Sequence, residues 1–391
     1  MKIENINFLI LIRFMKNFVI FGPFVIIYGN HIGMSSKEMV SVFTLFSTLF
    51  LILDLPCGHL ADKIGHRQAL ALGMFLYGSG SLLLGLWNTS HSMWIAQIFF
   101  ALGQSIHMGS DSGLSYLMLS KHNRHSSFSS IERKVLSIYS ASNFFICVIG
   151  GRIAAYSFEM IFIVTAILQF LTVGLCYFLP DLKSLSTKER YTIKIKIKKF
   201  IEVFVAQRSF SPLLGFFLFS AAMRLIFFTI PADVYSKINN VEKSAYFIGS
   251  AALVSFLYFM IRKHLPKNTV KKSIPPLFCL AGIFLCMDHL AFTFMALVIF
   301  NITLIEFIPI LMEYFMHHFG HMGEATAMSL ISTGNSIFIA ICGPLSTYLA
   351  AQFGISSTFV IFFSGCLGLL IFYPMSKHNP VVQSLHGHQC F

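Results

Sequence analysis

Long apolar runs, each close to the length that crosses a bilayer, recur along this chain and leave it few ways to fold. A spanning helix needs about 20 mostly apolar residues. Only 11% of the 391 residues are charged while 56% are hydrophobic, which leaves too little polar surface for a soluble globule of this size. The sequence therefore predicts an all-α membrane protein, with spanning helices at 6–29, 38–57, 69–89, 92–118, 134–156, 159–179, 211–235, 244–261, 273–288, 290–316, 324–350 and 355–375.

A polar stretch at mid-chain divides these helices into two sets of six. Alternating Ile and Lys within 191–199 favour a basic surface segment that links two halves. An offset of 192 residues aligns Ser140 with Ser332 and Asn143 with Asn335, a faint internal repeat. We therefore expect twelve transmembrane helices in two pseudo-symmetric six-helix bundles, divided as a first half at 1–180, a cytoplasmic linker at 181–210, a second half at 211–376 and a cytoplasmic tail at 377–391.

The distribution of Lys and Arg predicts the orientation of the helices. With the N-terminus inside, the outer loops hold only Lys37, Lys237 and Lys243 out of 28 Lys and Arg residues, and most of the others lie in inner segments. We expect both termini to be cytoplasmic and the chain to lie in a bacterial inner membrane. The net charge of +12 follows from this topology and does not indicate a nucleic-acid partner.

Ionisable residues inside apolar helices are the candidates for a transport site. A charge at bilayer depth costs roughly 3 kcal/mol or more, so such residues face the bundle interior or a watery cavity. One alternative for each polar residue is an interhelical hydrogen bond that only holds the bundle together. The candidate substrate and coupling residues are Arg13, Lys16, Gln104, Asp111, Arg224 and Glu306.

The charges of these candidates leave two interpretations open. An excess of cations favours a substrate with an acidic group, bound by bidentate arginine contacts. Alternatively, Asp111 and Glu306 match the cations internally and the substrate is neutral. We expect Glu306 to load and release a proton, with Arg224 or Lys16 as its competing partner. Arg13 is expected nearer the cytoplasmic end, where a long side chain reaches the interface.

The segment from Gly58 to Arg67 lies between the second and third predicted helices and has the order Gly-His-Leu-Ala-Asp-Lys-Ile-Gly-His-Arg. Two glycines suit a tight turn at the membrane surface, and the basic residues keep the turn cytoplasmic. This segment resembles the signature loop of the major facilitator superfamily. By that resemblance, helices 1, 4, 7 and 10 line a central cavity, and Gly58, Asp62, Gly65 and Arg67 gate cytoplasmic closure against the neighbouring half.

A second segment, Gly109-Ser110-Asp111-Ser112-Gly113-Leu114-Ser115-Tyr116, resembles bacterial superfamily members of drug-exporter type. Two departures weaken that subgroup assignment. The Gly-Pro pair that exporters often carry in helix 5 occurs here as Gly343-Pro344 in predicted helix 11, and helix 1 carries cations where some exporters have an acidic residue.

These features predict a secondary transporter rather than an enzyme. The sequence contains no nucleophile elbow, phosphate loop or His-Glu-x-x-His motif, and we expect no cofactor and no metal site. The expected function is proton-coupled export of an amphipathic or acidic metabolite, drug or siderophore by a monomer that binds its small-molecule substrate within the lipid bilayer. The alternatives are uptake of an anionic nutrient or siderophore, and a non-transporting membrane sensor or scaffold.

Overall fold

The computed structural model of this protein describes residues 4–121, 127–180, 182, 234–235, 237–262, 276–277, 280–284, 287, 289–319 and 328. These residues are helical wherever they form regular structure. The helices are α1 (Glu4–Lys16), α2 (Val25–His31), α3 (Ser36–Ile64), α4 (His66–Leu86), α5 (Ser90–His107), α6 (Ser110–Ser120), α7 (Phe128–Ala154), α8 (Phe158–Cys176), α9 (Val241–Arg262) and α10 (Leu290–Phe319).

Five stretches within the described part of the chain are long and apolar enough to cross a membrane. They are Ser41–Ile64, His66–Leu86, Phe128–Ala154, Phe158–Cys176 and Val241–Arg262. Each overlaps a span predicted from the sequence. The linker apart from Leu182, most of 211–235, nearly all of the last two predicted helices, and the tail lie outside the described residues. The number of twelve helices therefore stays a prediction.

The first predicted helix, 6–29, is interrupted rather than continuous. Helix α1 ends at Lys16, a single 3₁₀ turn follows at Gly22–Phe24, and α2 begins at Val25. Pro23 explains part of this break, because proline has no N–H and disfavours helical backbone in the residue before it. Helix α8 satisfies the freed backbone groups: Gln169 Nε2 donates to the Lys16 carbonyl (3.1 Å), and the Ile20 N–H donates to Thr165 Oγ1 (3.2 Å).

The connection between α3 and α4 is much shorter than predicted. Helix α3 continues through Gly58 and Asp62 to Ile64, and α4 begins at His66, so Gly65 alone separates the two helices. Gly65 has φ +98° and ψ 140°, a conformation almost confined to glycine. The expectation of a turn at Gly58 is wrong, because the backbone hydrogen bonds of α3 continue through that position.

Two further boundaries differ from prediction. The predicted helix 92–118 is divided, since α5 ends at His107 and α6 begins at Ser110. Helix α7 begins at Phe128 and not at 134, so Glu132 and Arg133 are helical residues and not loop residues. Both differences place charged residues at defined positions in the bundle.

Helix α7 packs along α9 and α10, and this contact is called the seam below. Small residues allow the close approach. A Cβ atom placed on Gly249 would lie 2.9 Å from Cys147 Cβ, and one on Gly151 would lie 2.8 Å from Ala245 Cβ. Because Gly151 meets Ala245 near the start of α9, the two helices are antiparallel and Arg262 lies beside the beginning of α7. We call that end, which also contains Gly65, the inner end, since the Lys and Arg distribution predicts that it is cytoplasmic.

Candidate functional site

Two carboxylates and two cations meet inside the first half of the chain, in a group called the Arg13 cluster (Arg13, Lys16, Asp111 and Glu132). The Arg13 guanidinium donates to both oxygens of Glu132, at 2.6 and 2.8 Å. Its Nε lies 3.1 Å from Asp111 Oδ2, and Lys16 Nζ lies 2.8 Å from the same oxygen. The four groups therefore form one connected ion-pair network.

The interrupted helices explain why these charges occur where they do. Arg13 and Lys16 occupy one face of the last turn of α1, where the helix dipole favours cations. Asp111 lies in the first turn of α6, where the dipole favours an anion, and its Oδ1 accepts the Ser112 N–H at 2.8 Å. Without the breaks at Asn17 and Gly109, neither pair would lie at a helix end.

Serine hydroxyls complete the surroundings of the Arg13 guanidinium. Its Nη1 and Nη2 atoms lie 3.2 Å from the hydroxyl oxygens of Ser115 and Ser112, respectively. The side chains of Arg13 and Glu132 are only 6% and 1% exposed. The expectation that Arg13 extends to the membrane interface is therefore wrong. Burial of a guanidinium is tolerated here because a bidentate carboxylate and hydroxyl acceptors replace its water shell.

A second group of charges, the Glu306 cluster (Arg133, Arg262 and Glu306), lies at the inner end of the seam. Arg133 Nε of α7 is 3.2 Å from Glu306 Oε2, and Arg262 Nε pairs with Glu306 Oε1. Glu306 is 2% exposed. The expected partners of Glu306 were Arg224 and Lys16. Arg224 lies outside the described residues, while Lys16 pairs with Asp111, so Lys16 as partner of Glu306 is wrong.

Adjacent residues of α7 divide between the two clusters. Successive side chains of a helix point about 100° apart. Glu132 therefore turns towards Arg13 while Arg133 turns towards Glu306. Sequence reasoning missed Glu132, Arg133 and Arg262 because each lay beyond the end of a predicted helix, where Lys and Arg were counted only as topology signals.

The other predicted site residues lie apart from both clusters. Gln104 is partly buried, with Nε2 3.6 Å from Met108 Sδ one turn later. In the predicted gating segment, Asp62 Oδ1 lies 4.0 Å from His66 Nε2, and an Arg67 Nη1 donates to the Leu179 carbonyl at 3.4 Å. The contacts of Asp62 and Arg67 described here lie within the first half, and the gating role of this segment stays a prediction.

Relatives of known family extend this description. The sequence profile of the Major Facilitator Superfamily matches residues 6–328. An uncharacterized transporter of Buchnera aphidicola subsp. Acyrthosiphon pisum is 24% identical over 346 residues, covering 84% of this chain and 85% of the relative. One from Buchnera aphidicola subsp. Schizaphis graminum is 24% identical over 242 residues, covering 60% of this chain but only 58% of the relative. A probable L-galactonate transporter of Escherichia coli is 30% identical over 76 residues, 19% of this chain and 17% of that protein.

Solved structures show the same fold. The transporter FucP, crystallised in an outward conformation, superposes with a TM-score of 0.71 at 11% identity, covering 96% of this chain and 98% of FucP. A mutant of the nucleoside transporter NupG superposes with a TM-score of 0.67 at 11% identity, covering 95% and 99% of the two chains. The predicted all-helical transporter fold is confirmed, and so is the expectation of a transporter rather than an enzyme. The chain belongs to the Major Facilitator Superfamily, as an integral multi-pass membrane transporter.

Proposed function

We propose that this protein is a proton-coupled secondary transporter that moves a small acidic organic solute, with the Arg13 cluster as its coupling site. It would work by alternating access in a bacterial inner membrane, with both termini cytoplasmic. The observation that carries the proposal is the charge balance of the Arg13 cluster. With both carboxylates ionised, the charges of Arg13, Lys16, Asp111 and Glu132 sum to zero.

This balance links a proton to an anion. Protonation of Asp111 or Glu132 leaves the cluster with one excess positive charge in a buried place, which is costly. An acidic solute that binds nearby removes that cost. Proton and anion therefore each favour binding of the other, as reciprocal linkage requires.

Such mutual support favours movement of the two in the same direction. An inward proton gradient would then drive uptake, the alternative considered for the sequence. The class of solute has independent support, because the Escherichia coli relative is named for L-galactonate, a carboxylate.

Export is the second candidate. It is favoured by the exporter-like segment around Asp111, which contributes Asp111, Ser112 and Ser115 to the surroundings of Arg13. In an exporter, the solute and the proton would compete for the cluster and not support each other. The sign of the coupling therefore separates the two candidates.

The test uses purified protein in proteoliposomes that enclose a pH-sensitive dye. L-galactonate, other small carboxylic acids and phosphate monoesters are added outside, with galactitol as the uncharged comparison. Co-transport predicts that the lumen becomes more acidic with at least one acid and not with galactitol. Glu132→Gln and Asp111→Asn, which keep side-chain size but remove the titrating group, should abolish the pH change.

The outcomes are distinct. A lumen that becomes more alkaline indicates exchange and supports the export candidate. Flux of a radiolabelled acid without a pH change contradicts proton coupling. Silence for every acid, with the protein intact by size-exclusion chromatography, contradicts the acidic solute class.

A further inference from the structure

The Glu306 cluster differs from the Arg13 cluster in its charge balance. Among the described residues, two guanidiniums converge there on one carboxylate, each taking a different oxygen of Glu306. The sum of these three charges is +1. The side chains are well shielded, at 12% exposed for Arg133 and 16% for Arg262.

The donors of these groups also outnumber the acceptors. Each guanidinium carries about five N–H donors, whereas one carboxylate offers about four acceptor positions. The planar fork of arginine matches carboxylates and phosphates in two parallel hydrogen bonds. The pair Arg133 and Arg262 thus has the chemistry to hold a second oxyanion, or to hold one in place of Glu306.

Position adds a functional meaning to this chemistry. Arg133 belongs to the first half of the chain, while Arg262 and Glu306 belong to the second. Their meeting point is the inner end of the seam, where the two halves approach each other. A solute bound by both arginines would bridge the halves in the way that Glu306 does.

We propose that Arg133 and Arg262 form a subsite for the carboxylate or phosphate group of the transported solute, which Glu306 occupies while no solute is bound. This inference rests on the acidic solute class proposed above. Glu306 then acts as an internal competitor. Its displacement replaces a bridge between two side chains by a bridge through the solute.

The test measures anion binding by the purified full-length protein through thermal stabilisation. The probes are L-galactonate, glycerol 3-phosphate and inorganic phosphate, each titrated against galactitol at constant ionic strength. Glu306→Gln removes the competitor and should lower the apparent Kd of at least one oxyanion about tenfold or more. Arg133→Gln and Arg262→Gln should raise it about tenfold.

Two further variants control these measurements. Arg152→Gln, at the outer end of α7, removes a cation of the same helix and should leave the Kd unchanged. If a glutamine variant does not fold, Arg262→Lys keeps the charge without the fork and should still weaken binding.

Two results would overturn the inference: no tightening of any oxyanion in Glu306→Gln, or equal binding by the wild type and the arginine variants. Failure of the proposed coupling is separable from these results. Tighter binding in Glu306→Gln combined with no proton movement in liposomes retains the subsite and rejects the coupling.

Discussion

Arg13 is the residue on which most of the charged interior of the first half depends. It alone contacts both carboxylates of its cluster, with two bonds to Glu132 and one approach to Asp111. Lys16, by comparison, pairs only with Asp111 among the contacts described. Loss of Arg13 would leave Glu132 without its bidentate partner at 1% exposure.

We therefore expect Arg13→Gln to lower the free energy of unfolding by about 3–5 kcal/mol, the usual cost of removing one partner of a buried ion pair. Lys16→Gln should cost less, because Asp111 keeps Arg13. The measurement is chemical unfolding in detergent micelles, with Arg152→Gln as an exposed control. Equal losses for Arg13→Gln and Lys16→Gln would contradict the central position of Arg13.

The residues of the two clusters also show what the sequence can and cannot predict. Arg13, Lys16 and Asp111 were identifiable because a charge within an apolar run has few explanations. Glu132 and Arg133 were not, because a charge next to a run is normally a solvated loop residue. Pairing between distant helices depends on which faces meet, and hydropathy carries no information about that.

At the level of elements, the glycine between α3 and α4 permits the sharpest turn described in the bundle. One residue reverses the chain, and Gly65 adopts positive φ to do so. The sequence motif correctly marked a short connection. Its length was overestimated because Gly58 was assumed to end a helix, although a glycine within α3 only weakens it.

Gly65→Ala should lower the free energy of unfolding by about 1–3 kcal/mol, because an L side chain is strained at this φ. Gly22→Ala is the matched control, since its Cβ would meet nothing within 4 Å and its φ is ordinary. Thermal unfolding monitored by intrinsic fluorescence measures the difference. If both variants melt at the same temperature, Gly65 does not have this conformation in the membrane protein.

The breaks in predicted helices 1 and 4 have a shared physical basis. Each leaves backbone groups without helical partners and creates helix ends inside the bundle, where dipoles hold the charges of the Arg13 cluster. Pro23 hinted at the first break. No proline accompanies the second, and sequence reasoning extended an unbroken polar face from Gln97 to Asp111.

At the level of the whole molecule, the seam joins the two halves described by the fold. Helices α7 and α9 approach through small side chains, with polar groups near both ends. The division of the chain into two bundles predicts that this contact crosses the boundary between them. A covalent link across the seam would test that arrangement.

Gly249→Cys offers such a link with the native Cys147. The two Cβ atoms would lie 2.9 Å apart, so a relaxation of about 1 Å brings them into the range of disulfides. With a protease site inserted at 181–210, oxidation should hold the cleaved halves together on a denaturing gel, and reduction should separate them. The double variant Cys147→Ser/Gly249→Cys should separate under both conditions. Separation of the single variant after oxidation would contradict the seam.

The adjacency of Glu132 and Arg133 has a consequence for leakage. Both are carried on one rigid stretch of α7, so a rotation that withdraws Glu132 from Arg13 also moves Arg133 relative to Glu306. The step that frees a proton acceptor and the step that loosens the inner closure are then a single mechanical event. A helix shared in this way limits proton slip, since no motion of α7 serves one cluster while leaving the other at rest.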